Sequence, residues 1–321
     1  MASLSAVLHL RVISPAERRD AVLEVLRSEP GATHVVIHVD AAVEPSGDEI
    51  TADIARECAN DVVDRLKDLC VQRDGAITLD VVDTVVSTAA HQAEKDAEGD
   101  PADAIVWDEL AERTRDESRL NVTFLAFLCL ACLLVAVGVV TDSTVTLLGG
   151  MVVGPEFGPL AALAVAAVRR RRNMAIRASI ALAVGFPLAM IVTAAAVLAG
   201  EAVGWIPLET TRQLQEVDYI FRVGPLSLVV ALLAGAAGML SLVSSKSAAL
   251  VGVFISVTTV PAAGFAVVAA TVGEWDVAAK SALQLLLNLV GIVVAGMLVL
   301  WLHQHLHRRR AAARHAQADP V

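Results

Sequence analysis

Net basic charge is the first thing missing. The formal charge is −10, whereas a nucleic-acid-binding protein needs a basic footprint, so nucleic acid is not an expected partner. Only four cysteines occur, Cys58, Cys70, Cys129 and Cys132. Two fall in a soluble stretch and two in an apolar helix, which argues against a disulfide framework. Residues 1–13 have no basic leading region, and His9 and Arg11 interrupt their apolar run. No cleavable signal peptide is expected, and the N-terminal part should stay in the cytoplasm. There is no P-loop, no His-rich zinc motif and no Gly-x-Ser-x-Gly turn. ATP-driven transport and hydrolase chemistry are disfavoured, and neither an enzyme nor a cofactor is expected.

What is abundant is apolar surface. Hydrophobic residues make up 56% of the chain, and its mean hydropathy is +0.63; ordinary soluble domains hold roughly 45–50% apolar residues. The charge is unevenly spread. Residues 1–118 carry 26 acidic and 11 basic groups, and the remainder 9 acidic and 14 basic. An acidic soluble part therefore precedes a membrane part with basic loops.

In residues 1–90 short β-branched runs alternate with helical periodicity. Ala6–Ile13 reads as a strand. Ser14-Pro15 offers an N-cap and a first-turn proline for a helix to about Arg27. Thr33–Val39 and Glu49–Ile54 are the next strands, around a turn at Glu44–Gly47. Ala55 to about Val71 is helical and Ala76–Val86 closes with a strand. The order β-α-β-β-α-β is that of a ferredoxin-like domain. His9, His34 and His38 lie on or beside the strands, the last two with shared parity. No Cys or carboxylate stands beside them at ligand spacing, so they read as surface histidines and no metal is expected.

Residues 91–118 read as a charged linker followed by a connector helix from Asp100-Pro101. Its apolar stripe is Ile105, Val106, Trp107 and Leu110. This helix is expected to lie in the membrane interface, with Trp107 among the headgroups, or to pack on the cytosolic face of the membrane domain. Residues 119–302 form an α-helical polytopic membrane domain, and 303–321 a basic cytosolic tail. Six runs approach the roughly 20 residues a spanning helix needs: Leu120–Val140, Thr144–Val168, Ala175–Gly200, Val223–Val243, Ser247–Thr271 and Val277–Leu302. Arg169–Arg172 and His307–Arg310 should be cytoplasmic. The 201–222 loop, with Glu201, Glu209, Glu216 and Asp218 against Arg212 and Arg222, should be external. Both termini are then cytoplasmic.

The six runs also divide into two sets of three, of opposite starting side. An offset of 102 carries Gly150 onto Gly252, Glu156 onto Thr258 and Pro159 onto Pro261. An inverted 3+3 repeat with broken helices at matching positions points to a transporter's binding site near the bilayer midplane. In the first half the break is Gly154, Pro155, Glu156, Gly158 and Pro159, with one carboxylate near mid-membrane. Intramembrane carboxylates are functional-site candidates. In the second half Ser256, Thr258 and Thr259 precede Pro261 and offer hydroxyls. Gln284 and Asn288 share a face of the last helix and either line the same cavity or join helices. Lys246 and Lys280 fall near helix ends and should snorkel to water. The Cys129-x-x-Cys132 spacing sits in an unbroken apolar helix and reads as packing. Gly235, Gly238, Gly291 and Gly296 mark close helix contacts, within the domain or between subunits.

The Gly150–Pro159 motif, Ala234–Gly238, Ser247–Val253 with Pro261 beyond, and Leu287–Ile292 resemble, in order and spacing, a prokaryotic membrane family known as domain-of-unknown-function family 389. Many members have Ser-Pro and an apolar residue where this chain has Gly154-Pro155-Glu156, so the resemblance does not extend a role to Glu156. It implies a bacterial inner-membrane protein and brings no substrate. The expected function is a secondary transporter or channel-like carrier in the lipid bilayer, for a small solute or ion. Its cytosolic domain would regulate it or assemble a homo-oligomer. The alternative is a membrane-anchored ligand sensor or scaffold that transports nothing.

Overall fold

Strand β1 (Val7–Ser14) sets the pattern of the N-terminal part. Its Leu8, Leu10 and Val12 are buried, while His9, Arg11 and Ile13 take the other face, as a period of two requires. The computed structural model describes residues 7–82, 84–97, 104–205, 225–243 and 249–318, with the backbone alone at 225–226, 249–258 and 307–318. The chain divides into two compact units, in the main residues 1–110 and 111–321.

In the first unit, α1 (Arg19–Arg27), β2 (Ala32–Val43), β3 (Ser46–Ala55), α2 (Ala59–Asp68), a one-turn α3 (Val71–Asp74) and β4 (Ala76–Val81) follow β1. The four-stranded sheet has the order β2-β3-β1-β4, and every pairing is antiparallel. Val22 and Leu26 of α1 and Val62 and Leu66 of α2 share one core with Leu8, Leu10, Ile50 and Ile54.

Three details differ from expectation. Ser14 does not cap α1; its hydroxyl donates to the Pro15 carbonyl at 3.2 Å, and a 3-10 turn, Ala16–Arg18, comes first. The start of α1 is held instead by Arg19, whose fork binds the fully buried Asp48 carboxylate, which also accepts the Asp40 amide at 2.9 Å. Second, part of the expected linker is α4 (Thr88–Asp96). Ser87 caps it by accepting from the Ala90 amide, and Ala90, Ala93 and Ala97 are buried, so the small residues that resembled a linker form a packing face. Third, the connector helix α5 (Trp107–Glu117) begins later than read; its expected cap at Asp100-Pro101 lies outside the described residues. Asn60 of α2 donates to the Ile105 carbonyl and accepts the Trp107 amide at 3.0 Å. Arg56 pairs with Glu109 at 2.7 Å and Lys67 with Asp108 at 2.6 Å. Val106 enters the core of the first unit, so this part of the stripe is covered by protein rather than lipid.

The second unit is helical: α6 (Val122–Val140), α7 (Thr144–Val153), α8 (Phe157–Val168), α9 (Arg172–Ala202), α10 (Pro225–Val243), α11 (Ala249–Thr271) and α12 (Trp275–Ala318). Asn121 caps α6 by accepting the Phe124 amide at 2.7 Å. By length and composition α6, α9 and the 275–306 part of α12 are long and apolar enough to cross a membrane, and the α7–α8 pair, bent by 47°, is a fourth if taken as one. The chain is thus a membrane protein. The apolar stretches described in α10 and α11 are shorter, at Ser227–Val243 and Thr259–Thr271. Only 44% of the apolar window of α6 is buried; Leu130, Leu134 and Val137 face outward, as a lipid-facing surface needs. Gly235 lies against the Ile292 backbone, Gly291 against Leu228, and Gly296 against Met239 and Ala164, so these glycines do mark close contacts.

The two segments expected to match are not broken alike. α11 continues through Pro261, whereas Gly154–Glu156 separates α7 from α8. A lone proline removes one backbone bond and can be carried in a membrane helix. At 154–159 glycines stand beside two prolines, and the helix gives way. The loop residues Glu209, Glu216, Asp218, Arg212 and Arg222, and Lys246, lie outside the described residues, as do the side chains of His307–Arg310.

Candidate functional site

The break is narrower than the proline spacing indicates. Gly154 has φ −61° and ψ 126°, which ends α7. α8 resumes at Phe157, and Pro159 sits inside its first turn, where a missing amide donor removes no helical bond. Glu156 occupies the N-cap position of α8, and its carbonyl accepts the Leu160 amide at 3.2 Å. Its side chain makes no cap bond. It is fully buried and turns to α11, where the Thr259 hydroxyl donates to Glu156 Oε1 at 2.6 Å. Thr259 is itself fully buried. The distance is that of a short O–H···O bond, and the carboxyl stands at the N-terminal end of α8.

Beside the break lies a pocket of about 310 Å³, lined by Glu117, Arg119, Asn121, Phe124, Pro155 and Gly158 among others. A Cβ on Gly158 would stand 2.7 Å from the Glu117 carbonyl oxygen, so only glycine lets α8 start this close to the end of α5. Gly154, Pro155 and Gly158 are thus level with the start of α6, nearer the end of the bundle than the midplane expected of them. Burial raises the Glu117 carboxyl above its ordinary value, against the pull of Arg113.

Residues 151–294 match the family model described as a domain of unknown function, DUF389. That segment of the chain is similar to the family. No curated protein and no solved structure matches. The DUF389 match covers the break, Thr259, Pro261 and Asn288. It starts after Cys129 and Cys132 and leaves out residues 1–150.

The other expected site residues fall into separate groups. Pro261 is buried two residues beyond Thr259 in α11, while the side chains of Ser256 and Thr258 lie outside the described residues. Asn288 and Gln284 join helices: Gln284 Nε2 donates to Ser227 Oγ at 3.0 Å, and Ser227 Oγ donates to Asn288 Oδ1 at 3.3 Å. Among the described residues Gln284 Oε1 has no hydrogen-bond partner. Cys132 is buried in the helical core and Cys129 packs against it, as packing residues do. Lys280 pairs with Asp276 near the start of α12.

Sequence reasoning missed Asp53. β1–β3 register sets His9 opposite it, and its two oxygens meet His9 Nδ1 and His34 Nδ1, each at 2.8 Å. Partial burial pushes the Asp53 pKa up, but the two histidine hydrogen bonds prevail and hold it below the ordinary value. The signal lies in the register of β1 on β3 rather than in the count along either strand. Among the described residues no group of three or more His, Cys, Asp or Glu is arranged to hold a metal ion.

Proposed function

We propose that this protein is a secondary transporter or channel-like carrier of the bacterial inner membrane, moving a small solute or ion past Glu156. One observation carries the reading: a fully buried carboxylate at a helix break accepts a hydroxyl from the helix that the sequence layout places in the matching position. A carboxylate so held can take up a proton or a cation on one side and release it on the other. Met239 of α10, Ala164 of α8 and Gly296 of α12 meeting together supports a 3+3 arrangement in which helices of the two sets interlock. With α10 and α11 counted, the spans number six and both termini are cytoplasmic. The strand order β2-β3-β1-β4 agrees with a ferredoxin-like domain, which would regulate the carrier or assemble it as a homo-oligomer.

The test is flux in proteoliposomes over a panel of solutes and ions, with and without a pH gradient. A flux that Glu156→Gln abolishes or uncouples from the gradient is the expected result. No flux from any member of the panel, together with a ligand that raises the melting temperature of the full chain, would replace the carrier with a membrane-anchored sensor.

A further inference from the structure

The turn between α8 and α9 builds a second, oppositely charged site. A pocket of about 490 Å³ there is lined by Arg115, Arg170, Arg171, Arg172, Arg177 and Asn173, with Ala111, Ser118 and Met174 completing it and no carboxylate in its lining. Its size is that of a small-molecule site. The positive-inside rule accounts for arginines in this loop, but not for their convergence on one concavity with Arg115 from α5.

Two features show that the pocket is held in shape. The Arg169 amide donates to the Val165 carbonyl and the Arg171 amide to the Ala166 carbonyl, both at 2.9 Å. Arg170 between them is left-handed, φ 54°, at a helix end where glycine is the relaxed choice. A side chain kept in that conformation is a reason to look for function. Among the described residues no carboxylate forms an ion pair with Arg170, Arg172 or Arg177. Arg115 pairs with Glu112 at 3.3 Å, but both side chains are about half exposed, and such pairs exchange readily.

We propose that this pocket binds a phosphate group, supplied by the headgroup of an anionic phospholipid. Guanidinium forks match phosphate oxygens two at a time, and basic pockets at the ends of membrane helices suit lipid headgroups. The lipid source follows from what adjoins the pocket. From Arg177 one face of α9 continues through Ile180, Val184, Leu188 and Ile191, all exposed, an apolar track for an acyl chain. A soluble phosphate compound would leave that track unused.

The test is native mass spectrometry of the full chain, stripped of lipid and titrated with phosphatidylglycerol or phosphatidylcholine. Phosphatidylglycerol should bind in preference, and about tenfold more weakly to R115Q/R177Q, each lost fork being a hydrogen-bonded charge. That pair leaves Arg169–Arg172, and so membrane orientation, untouched. Should it fail to fold, R170K/R171K/R172K keeps every charge but loses the forks and should also bind more weakly. Equal binding of the two lipids, or unchanged binding in the variants, overturns the proposal. A melting shift by inorganic pyrophosphate that exceeds the phosphatidylglycerol shift at equal concentration, and vanishes in the variants, makes the occupant a soluble phosphate and overturns the lipid assignment.

Discussion

Thr259→Val removes one hydroxyl from the candidate site and nearly nothing else. The residue is fully buried in α11, valine has almost its shape, and the lost atom is the donor 2.6 Å from Glu156 Oε1. Two scales bracket the consequence. Hydrogen bonds to charged groups in soluble proteins contribute about 1.5–3 kcal/mol, whereas interhelical bonds in a membrane average roughly 0.6 and reach about 1.7 kcal/mol. The overlap of the two scales, about 1.5 kcal/mol, is the expected coupling. Because valine for threonine also alters solvation, a double-mutant cycle with Glu156→Met isolates the pair. Unfolding of the four proteins in bicelles gives the coupling, and flux of the single variants gives its use. Thr259→Ser keeps the donor and should retain most of the flux that Thr259→Val loses. A coupling below about 0.3 kcal/mol, within ordinary additivity, would show that the contact holds nothing and would remove the main support for the site.

Asp48 is held below the ordinary aspartate value chiefly by the Arg19 hydrogen bond, Glu49 below the glutamate value chiefly by Arg11, and Asp53 by its histidines against its own desolvation. Lowered folded pKa values stabilise the fold above the unfolded values, 3.8 for Asp and 4.5 for Glu, and this contribution is lost as pH falls through the folded ones. Hydrogen exchange at β1 and β3 in the full chain should therefore quicken as pH drops below about 4, after correction for intrinsic rates, and Asp48→Asn should flatten the dependence. Asn60→Ala deletes two bonds to the start of α5, worth roughly 1–3 kcal/mol together. Amides 105–108 should lose protection while the β1–β4 ladder keeps it. Gly235→Val places a Cβ 2.6 Å from the Ile292 carbonyl oxygen, a backbone atom that cannot swing aside. A loss of about 1–3 kcal/mol is expected, read as a lower melting temperature in detergent, whereas Gly149→Ala, with nothing within 4 Å of its Cβ, should change little.

The strands and the long helices were legible because each has a strong period or an apolar length that local chemistry sets. β1 read as Ala6–Ile13 and stands at Val7–Ser14; the segment read as Thr144–Val168 is α7 plus α8 to its last residue. The misreadings lie where tertiary partners decide. Ser14-Pro15 has the composition of a cap, but Asp48 from β3 binds Arg19 and sets where α1 starts. His91–Asp100 has the composition of a linker, but its alanines find a surface to cover. Asp53 between two histidines needed the register, which pairs His9 with Asp53 and cannot be counted along one strand.

The contact between the two segments was legible to within one residue, and the size of the miss has a cause. The offset of 102 sets Thr258 over Glu156, but the hydroxyl that meets the carboxylate is Thr259, 103 residues on. One residue turns a helix by about 100°, so neighbouring positions are not interchangeable. The offset would hold only if both segments kept the same helical phase. They do not: α7 ends at Val153 and α8 restarts at Phe157, while α11 passes through Pro261 without interruption. The three residues between the helices, with Gly154 extended, reset the phase on one side only. The break also explains why a carboxylate is tolerated on that side. Glu156 heads α8, where free amides and the helix dipole favour negative charge, whereas the matching place in α11 is helix interior and offers neither. A carboxylate on the broken helix and a hydroxyl on the unbroken one is the pairing this difference in backbone favours. Exchanging them, as Glu156→Thr with Thr259→Glu, should cost the fold more than either Glu156→Gln or Thr259→Val, and a swapped protein that melts with the wild type would refute the backbone as the reason for the arrangement.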